Sequence, residues 1–157
     1  MKNFVMLFSL VVSFNLLAAS PSVTCLTKGQ EVKVDNASVL NWKYNSANQY
    51  HDRGHILGTL IYNYPDLNGH HHYQVQIGNN NKDTIEVIYN KGFGDIPQVA
   101  PGSGFEACGD YITSNARGGG HDASPDGAII HWVHMSKNTK AHDSGFLVIN
   151  GILYGMK

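Results

Sequence analysis

Histidine is the residue type in this chain whose number and spacing most directly suggest chemistry. Nine histidines occur among 157 residues, and two of them, His131 and His134, flank Trp132 at the end of one predicted strand. Neutral imidazole is a common ligand of zinc, copper and nickel, and it can act as a general base near neutral pH. Two interpretations follow: a metal-binding or catalytic cluster, or structural histidines that are hydrogen-bonded around Trp132 and the closing hairpin.

The spacing of the histidines restricts how such a cluster could form. Residues three apart on a regular strand point to opposite faces, so His131 and His134 can face one ion only if the strand bends after Trp132. The run His70-His71-His72 alternates in direction just after a predicted turn, which favours adventitious metal capture over a dedicated site. The sequence assigns a catalytic role to no particular residue.

A second group of candidate residues is aromatic and polar. Tyrosines and Trp132 lie on predicted strands beside Asn and Gln side chains, and we expect ligand contacts from Gln74, Tyr89, Asn90 and Trp132. The alternative is that most of the tyrosines are core residues. The formal net charge is only −1, and a near-neutral domain lacks the field that attracts polyanions. We therefore expect a neutral polymer such as a glycan, a peptide or another exported protein as partner, and no nucleic acid.

These side chains must be positioned by strands, and the hydrophobic pattern predicts a mainly β domain. The predicted strands and hairpins cover 55–64, 72–77, 84–89, 105–113, 128–135 and 146–154. A short helix over 37–50, capped by Asn36 or Ser38, precedes them, and Gly109 is expected to form a bulge or a bend. The long connection between the third and fourth strands predicts a small Greek-key, OB-like β-barrel. A β-sandwich is the alternative.

The first 19 residues have the features of a cleavable signal peptide. Lys2 is the only charged residue before Lys28, and an apolar run from Phe4 to Ala18 leads into small residues. The run is shorter than the roughly 20 apolar residues of a membrane span. We therefore expect a signal peptide (1–19), an N-terminal segment (20–54) and a barrel domain (55–157), exported to the periplasm or the medium without a membrane span in the mature chain. A retained signal anchor is the alternative.

Two cysteines remain after removal of the signal peptide, Cys25 and Cys108. In an oxidising compartment an even pair most simply forms one disulfide, which would tie the N-terminal segment to the body of the fold. Two buried free thiols are the alternative.

Four short segments carry a family resemblance. They are His72-Tyr73-Gln74-Val75-Gln76-Ile77, Cys108-Gly109-Asp110-Tyr111, Ile130-His131-Trp132-Val133-His134, and His142 with Gly145-Phe146. These segments resemble the bacterial family of exported proteins called domain of unknown function 3465, over roughly His55 to the C-terminus. The resemblance implies a barrel-like exported domain and supplies no established activity.

The resemblance also selects four of the nine histidines. It marks His72, His131, His134 and His142 as candidate ligands of zinc or another divalent transition metal. Two positions depart from the family pattern. Tyr89-Asn90 stands where members often have His-Asn, and Met135-Ser136-Lys137 stands where they tend to have His-Asp-Pro.

Three function classes remain at this point. The leading hypothesis is an exported, non-enzymatic binding domain for a neutral ligand. The alternative is a small metal-assisted hydrolase centred on the four histidines, and the third class is a structural or inhibitor-like partner of another exported protein.

The signal peptide can be tested directly. Mature protein recovered from the periplasm or the medium should begin near Ser20, as read by N-terminal sequencing. Leu10→Arg, which interrupts the apolar run, should keep the protein inside the cell and unprocessed. Exported protein that retains Met1 would contradict the prediction.

Overall fold

The computed structural model describes residues 23–138 and 142–157, so the predicted signal peptide lies outside the described residues. The elements are, in chain order, β1 (Leu26–Thr27), β2 (Gln30–Glu31), α1 (Asn36–Asn45), β3 (His51–Leu67), β4 (His70–Gln76), β5 (Thr84–Asn90), a 3₁₀ turn (Lys91–Phe93), β6 (Gly104–Thr113), β7 (Ala128–His131), β8 (Phe146–Ile149) and β9 (Ile152–Tyr154). No helix within these residues is long and apolar enough to cross a membrane.

Five strands close into a ring. β3 pairs with β4, β4 with β5, β5 with β7, β7 with β6, and β6 again with β3. All of these pairs are antiparallel except β5 with β7. The spatial order β6-β3-β4-β5 is that of a Greek key, and the ring is a small OB-like barrel. The predicted fold class is confirmed. The hairpin β8–β9 extends from β6 and turns at Asn150-Gly151, as predicted.

The core fills the inside of this ring because inward and outward residues alternate along each strand. The buried residues include Ile56 and Leu60 of β3, Val75 of β4 and Val87 of β5. Tyr73, Tyr89 and Tyr111 are buried with them. For these three tyrosines the core interpretation is therefore correct.

Helix α1 begins and ends differently from the prediction. Its N-cap is Asp35, whose carboxylate accepts a hydrogen bond from the Ser38 backbone N–H at 2.9 Å. Asn36 instead donates to the carbonyl oxygens of Leu57 and Ile77, which attaches the helix to the barrel. The helix ends at Asn45, and Val39 packs into the barrel core.

Strand β3 is longer than predicted, because it continues on both sides of 55–64 and pairs with two different strands. Residues 51–59 pair with β6, and residues 59–67 pair with β4. The predicted boundary between 20–54 and 55–157 therefore falls inside one strand.

Gly109 forms no bulge, in contrast to the prediction. It pairs in register with Gly54 across β3 and β6. A Cβ atom at Gly109 would lie 2.2 Å from the carbonyl oxygen of His131. Glycine is present here because β7 approaches the β6 backbone too closely for a side chain.

A disulfide and an arginine attach the N-terminal segment to the barrel. Cys25 is bonded to Cys108 of β6, which confirms the predicted pairing. Arg53 beside it is buried, donates to Asp110 Oδ1 at 2.6 Å, and donates to the Leu26 carbonyl oxygen at 3.0 Å. A buried guanidinium is stable only when its donors are paired, as they are here.

Removal of the disulfide should destabilise the fold. The two cysteines are 83 residues apart, and closing a loop of that size restricts the unfolded chain by about 4 kcal/mol in the entropic model. We expect Cys25→Ser combined with Cys108→Ser to lower the free energy of unfolding by up to about that amount, measured by urea denaturation. The wild type should contain no alkylatable thiol, and a free thiol in the folded wild type would contradict the bond.

Candidate functional site

The outer face of β4, β5 and β7 carries the polar side chains of the barrel. On β4, His70, His72 and Gln74 alternate with core residues. β5 places Glu86 directly opposite Gln74, and β7 runs parallel to β5 and ends at His131. β4 and β5 are the second and third strands of the ring, and in OB-type barrels this face and its flanking loops bind the ligand.

Trp132 directly follows β7, and the chain bends at this residue. Its φ of 55° lies in the left-handed region, which is uncommon for a bulky residue. The bend leaves the Trp132 side chain 37% exposed, whereas His134 is 2% exposed. β7 is therefore shorter than the predicted strand 128–135. The bend that a His-Trp-x-His cluster requires is present, and it lies at Trp132 itself.

The bend gathers aromatic rings around the indole. The Trp132 ring centroid lies 5.1 Å from that of His131, 5.4 Å from that of His134 and 4.1 Å from that of His142. His70 joins this group from β4, with its ring centroid 5.7 Å from that of His131. We call these five residues the Trp132 patch.

The histidines of the patch are the predicted metal ligands, except that His70 takes the place of His72. His70 belongs to the patch although sequence analysis did not select it, and His72 is directed elsewhere. The Nδ1 atom of His72 lies 2.6 Å from Glu86 Oε1. One signal could have identified His70: two residues apart on a strand, His70 and His72 share a face.

A loop over 114–127 is attached to β4 and β5 by hydrogen bonds to two buried carboxylates, Glu86 of β5 and Asp126 of the loop. Glu86, 5% exposed, also accepts a hydrogen bond from Ser124 Oγ at 2.6 Å. Asp126 accepts from Gln74 Nε2 at 2.7 Å and from Tyr64 Oη at 3.1 Å. Burial, together with the Asp126 charge, raises the pKa of Tyr64. These bonds hold the loop against the barrel.

Of the four predicted ligand-binding residues, Trp132 has an open surface. Gln74 lies under the loop and is bonded to Asp126. Tyr89 is 0% exposed, because its side chain points into the barrel, and its hydroxyl donates to the Gly94 carbonyl oxygen at 3.0 Å. The Asn90 side chain accepts from the Gly92 N–H at 2.8 Å and caps the 3₁₀ turn. Tyr89 is therefore closed to a ligand, whereas Gln74 and Asn90 are half-buried and already hydrogen-bonded within the fold.

Hydrogen bonds define the tautomers of three histidines in the patch. In each of them Nδ1 lies close to a backbone carbonyl oxygen. The distance is 2.9 Å from His70 to Asn68, 3.0 Å from His134 to Met135 and 3.3 Å from His142 to Asp143. A carbonyl oxygen only accepts, so Nδ1 carries the proton and Nε2 of the neutral ring offers a lone pair. Nε2 of His134 is buried and has no hydrogen-bond partner among the residues that the structure describes.

Two histidines of the patch, His131 and His134, have lowered pKa values. Burial, reinforced by repulsion from His70 and His134, lowers the pKa of His131 from 6.5 to about 4. Burial also lowers the pKa of His134. His131 and His134 are therefore neutral at neutral pH and add no positive charge to the patch.

The four predicted metal ligands do not meet at one point. Within residues 23–138 and 142–157, no group of three or more His, Cys, Asp or Glu side chains is arranged to hold a metal ion. His72 is hydrogen-bonded to Glu86 instead. The ring centroids of His134 and His142 are 6.2 Å apart, and both rings contact Trp132.

The lowered pKa of His131 should be visible in the pH dependence of stability. The folded value of about 4 lies below the ordinary value of 6.5. As the pH falls through this window, the unfolded chain takes up a proton that the folded chain does not, so stability present above pH 6.5 is lost. The loss is on the order of 1–3 kcal/mol.

His131→Gln should flatten this part of the profile, measured by urea denaturation between pH 4 and 7. His51→Gln, at the exposed start of β3, is the matched control and should keep the wild-type slope. In NMR, the His131 imidazole should titrate near pH 4. Equal slopes for wild type and His131→Gln would contradict the assignment.

Comparison with known proteins gives no independent assignment. No protein-family model matches the chain, and no match is found among curated proteins or solved structures. The resemblance to the domain of unknown function 3465 family therefore stays a prediction, and the function must be inferred from the geometry of the Trp132 patch.

Proposed function

We propose that this protein is an exported OB-type binding domain that recognises a neutral, hydroxyl-rich ligand, such as a glycan, on the Trp132 patch. One observation carries the proposal. The Trp132 indole is 37% exposed at the end of β7, and in the neutral rings of His70 and His142 the hydrogen-bonded Nδ1 carries the proton and leaves the Nε2 lone pair as an acceptor. Tyr89 is in the core, and the exposed Tyr62 lies opposite Gln74 on the neighbouring strand β3.

The backbone at Trp132 supports a functional role. A left-handed conformation at a non-glycine residue costs about 1–3 kcal/mol and persists only where the surroundings enforce it, commonly at binding sites. Gly145 provides the space: a Cβ atom there would lie 2.2 Å from the Trp132 carbonyl oxygen. The Gly145 N–H also donates to the His134 carbonyl oxygen at 2.8 Å. The fold thus accommodates a strained bend whose result is an exposed indole.

The chemistry of the patch favours hydroxyl groups over anions. A flat indole packs well against the apolar face of a sugar ring, and Nε2 lone pairs accept hydrogen bonds from hydroxyl donors. Two neighbouring cations are already engaged. Lys91 is paired with Asp66 at 2.8 Å, and Lys137 lies 5.2 Å from the centroid of the Phe93 ring. Among the described residues these two lysines already have partners, which favours a neutral ligand over a phosphate or a sulfate.

Export is part of the same proposal. Disulfides such as Cys25–Cys108 form in oxidising compartments, and the features of the first 19 residues favour cleavage and export. A glycan ligand is consistent with a location in the periplasm or the medium.

A small metal-assisted hydrolase is the second candidate function. It is favoured by the Nδ1 hydrogen bonds of His70, His134 and His142, because metal-ligating histidines are commonly oriented in this way. It has weaker support because catalytic zinc needs three protein ligands, and the described residues gather no such set. The binding domain requires only the geometry that the patch already has.

The binding proposal can be tested by titrating the mature protein with neutral oligosaccharides and with sulfated oligosaccharides of equal length. We expect saturable binding of a neutral ligand, measured by calorimetry and tryptophan fluorescence. Trp132→Ala should weaken it about tenfold or more, which is the loss of about 1.4 kcal/mol expected for a central aromatic contact.

Trp42→Phe is the matched control. Trp42 packs against Tyr111 with ring centroids 5.3 Å apart, away from the patch, so binding should be unchanged and the fluorescence then reports Trp132 alone. Preference for the sulfated series, or neutral-ligand binding that survives Trp132→Ala, would contradict the proposal.

A further inference from the structure

We propose that His70 and His131 together bind one Cu(II) ion, through one ring nitrogen from each, at the edge of the Trp132 patch. The proposal does not depend on the glycan ligand. It needs two protein ligands, so it is compatible with the absence of a three-ligand set in the described residues.

The two rings already have the separation that a shared ion requires. Their centroids are 5.7 Å apart and their planes are inclined by 63°. Two imidazoles on one ion, with metal–nitrogen bonds of about 2.0–2.1 Å, have ring centroids roughly 4.5–6.4 Å apart. The residues come from β4 and β7, two strands that lie on either side of β5 in the ring. Coordination therefore requires side-chain rotation at most.

Both rings have a nitrogen that is free to coordinate. His70 donates from Nδ1 to the Asn68 carbonyl oxygen at 2.9 Å, which leaves the Nε2 lone pair available for coordination. His131 makes no side-chain hydrogen bond within the described residues.

The number of ligands selects the metal. Two imidazoles completed by water oxygens suit the tetragonal nitrogen–oxygen coordination of Cu(II), which also stands highest in affinity among the divalent first-row ions. Structural zinc takes four protein ligands and catalytic zinc takes three, so this pair favours copper over zinc.

The pair is distinct from the run His70-His71-His72. His71 points to the other face, where its Nδ1 lies 2.9 Å from Asp66 Oδ1, and His72 is bonded to Glu86. Copper captured by the run alone would not need His131. His131 therefore distinguishes a built site from adventitious capture.

The test is a Cu(II) titration of the mature, untagged protein with its disulfide intact, at pH 7 in a buffer that does not coordinate copper. We expect one equivalent to bind, with nitrogen hyperfine structure from two imidazoles in the electron paramagnetic resonance spectrum. His70→Ala and His131→Ala should each weaken binding about tenfold or more and leave one nitrogen. His71→Ala and His51→Ala are matched controls and should bind as the wild type does.

Wild-type affinity in His131→Ala would overturn the proposal and assign the copper to the run. If His131→Ala does not fold by circular dichroism, His131→Gln replaces it. The spectrum of the wild type is an independent readout, because a single coordinated nitrogen would also overturn the proposal. Glycan titrations are carried out with a chelator that removes copper, so the result for glycan binding does not depend on the result for copper binding.

Discussion

Strand β3 pairs with β6 over its first half and with β4 over its second half, and this double pairing closes the barrel. Once the ring is closed, one side of every strand must face the core and the other must face outward. Closure also brings β7 between β5 and β6, which places His131 on the same outer face as His70 and His72. The position of the Trp132 patch is thus a consequence of ring closure.

The N-terminal segment covers the seam where β3 meets β6. The Cys25–Cys108 disulfide and the Arg53–Asp110 ion pair hold it there. His55 adds two contacts, 2.7 Å from Nδ1 to the Val32 carbonyl oxygen and 2.9 Å from Nε2 to Glu106 Oε1. These attachments occupy the outer side of β3 and β6, so the opposite face, formed by β4, β5 and β7, is left for a ligand.

The ligand face contains several features that do not favour stability. Glu86 is a buried carboxylate, Nε2 of His134 has no hydrogen-bond partner in the described part of the chain, and Trp132 has a strained backbone. Each of these features costs free energy on the order of 1–3 kcal/mol unless it is compensated. Glu86 is compensated by Ser124 and His72, whereas Trp132 keeps a strained backbone and a partly exposed side chain. Concentration of such features on one face of an otherwise regular barrel is typical of a functional site.

The sequence by itself determined the features that depend on local or pairwise signals. Alternating residues located the strands, Asn150-Gly151 located the closing turn, and the even pair of cysteines predicted the Cys25–Cys108 disulfide. Only the tertiary structure decided which residues contact each face of a strand. Tyr89 lies in the core, Gln74 lies beneath Asp126, and His70 rather than His72 lies against His131. A period of two tells which residues share a face, but only ring closure and the covering loop decide which face is inward and which outward positions stay open to solvent.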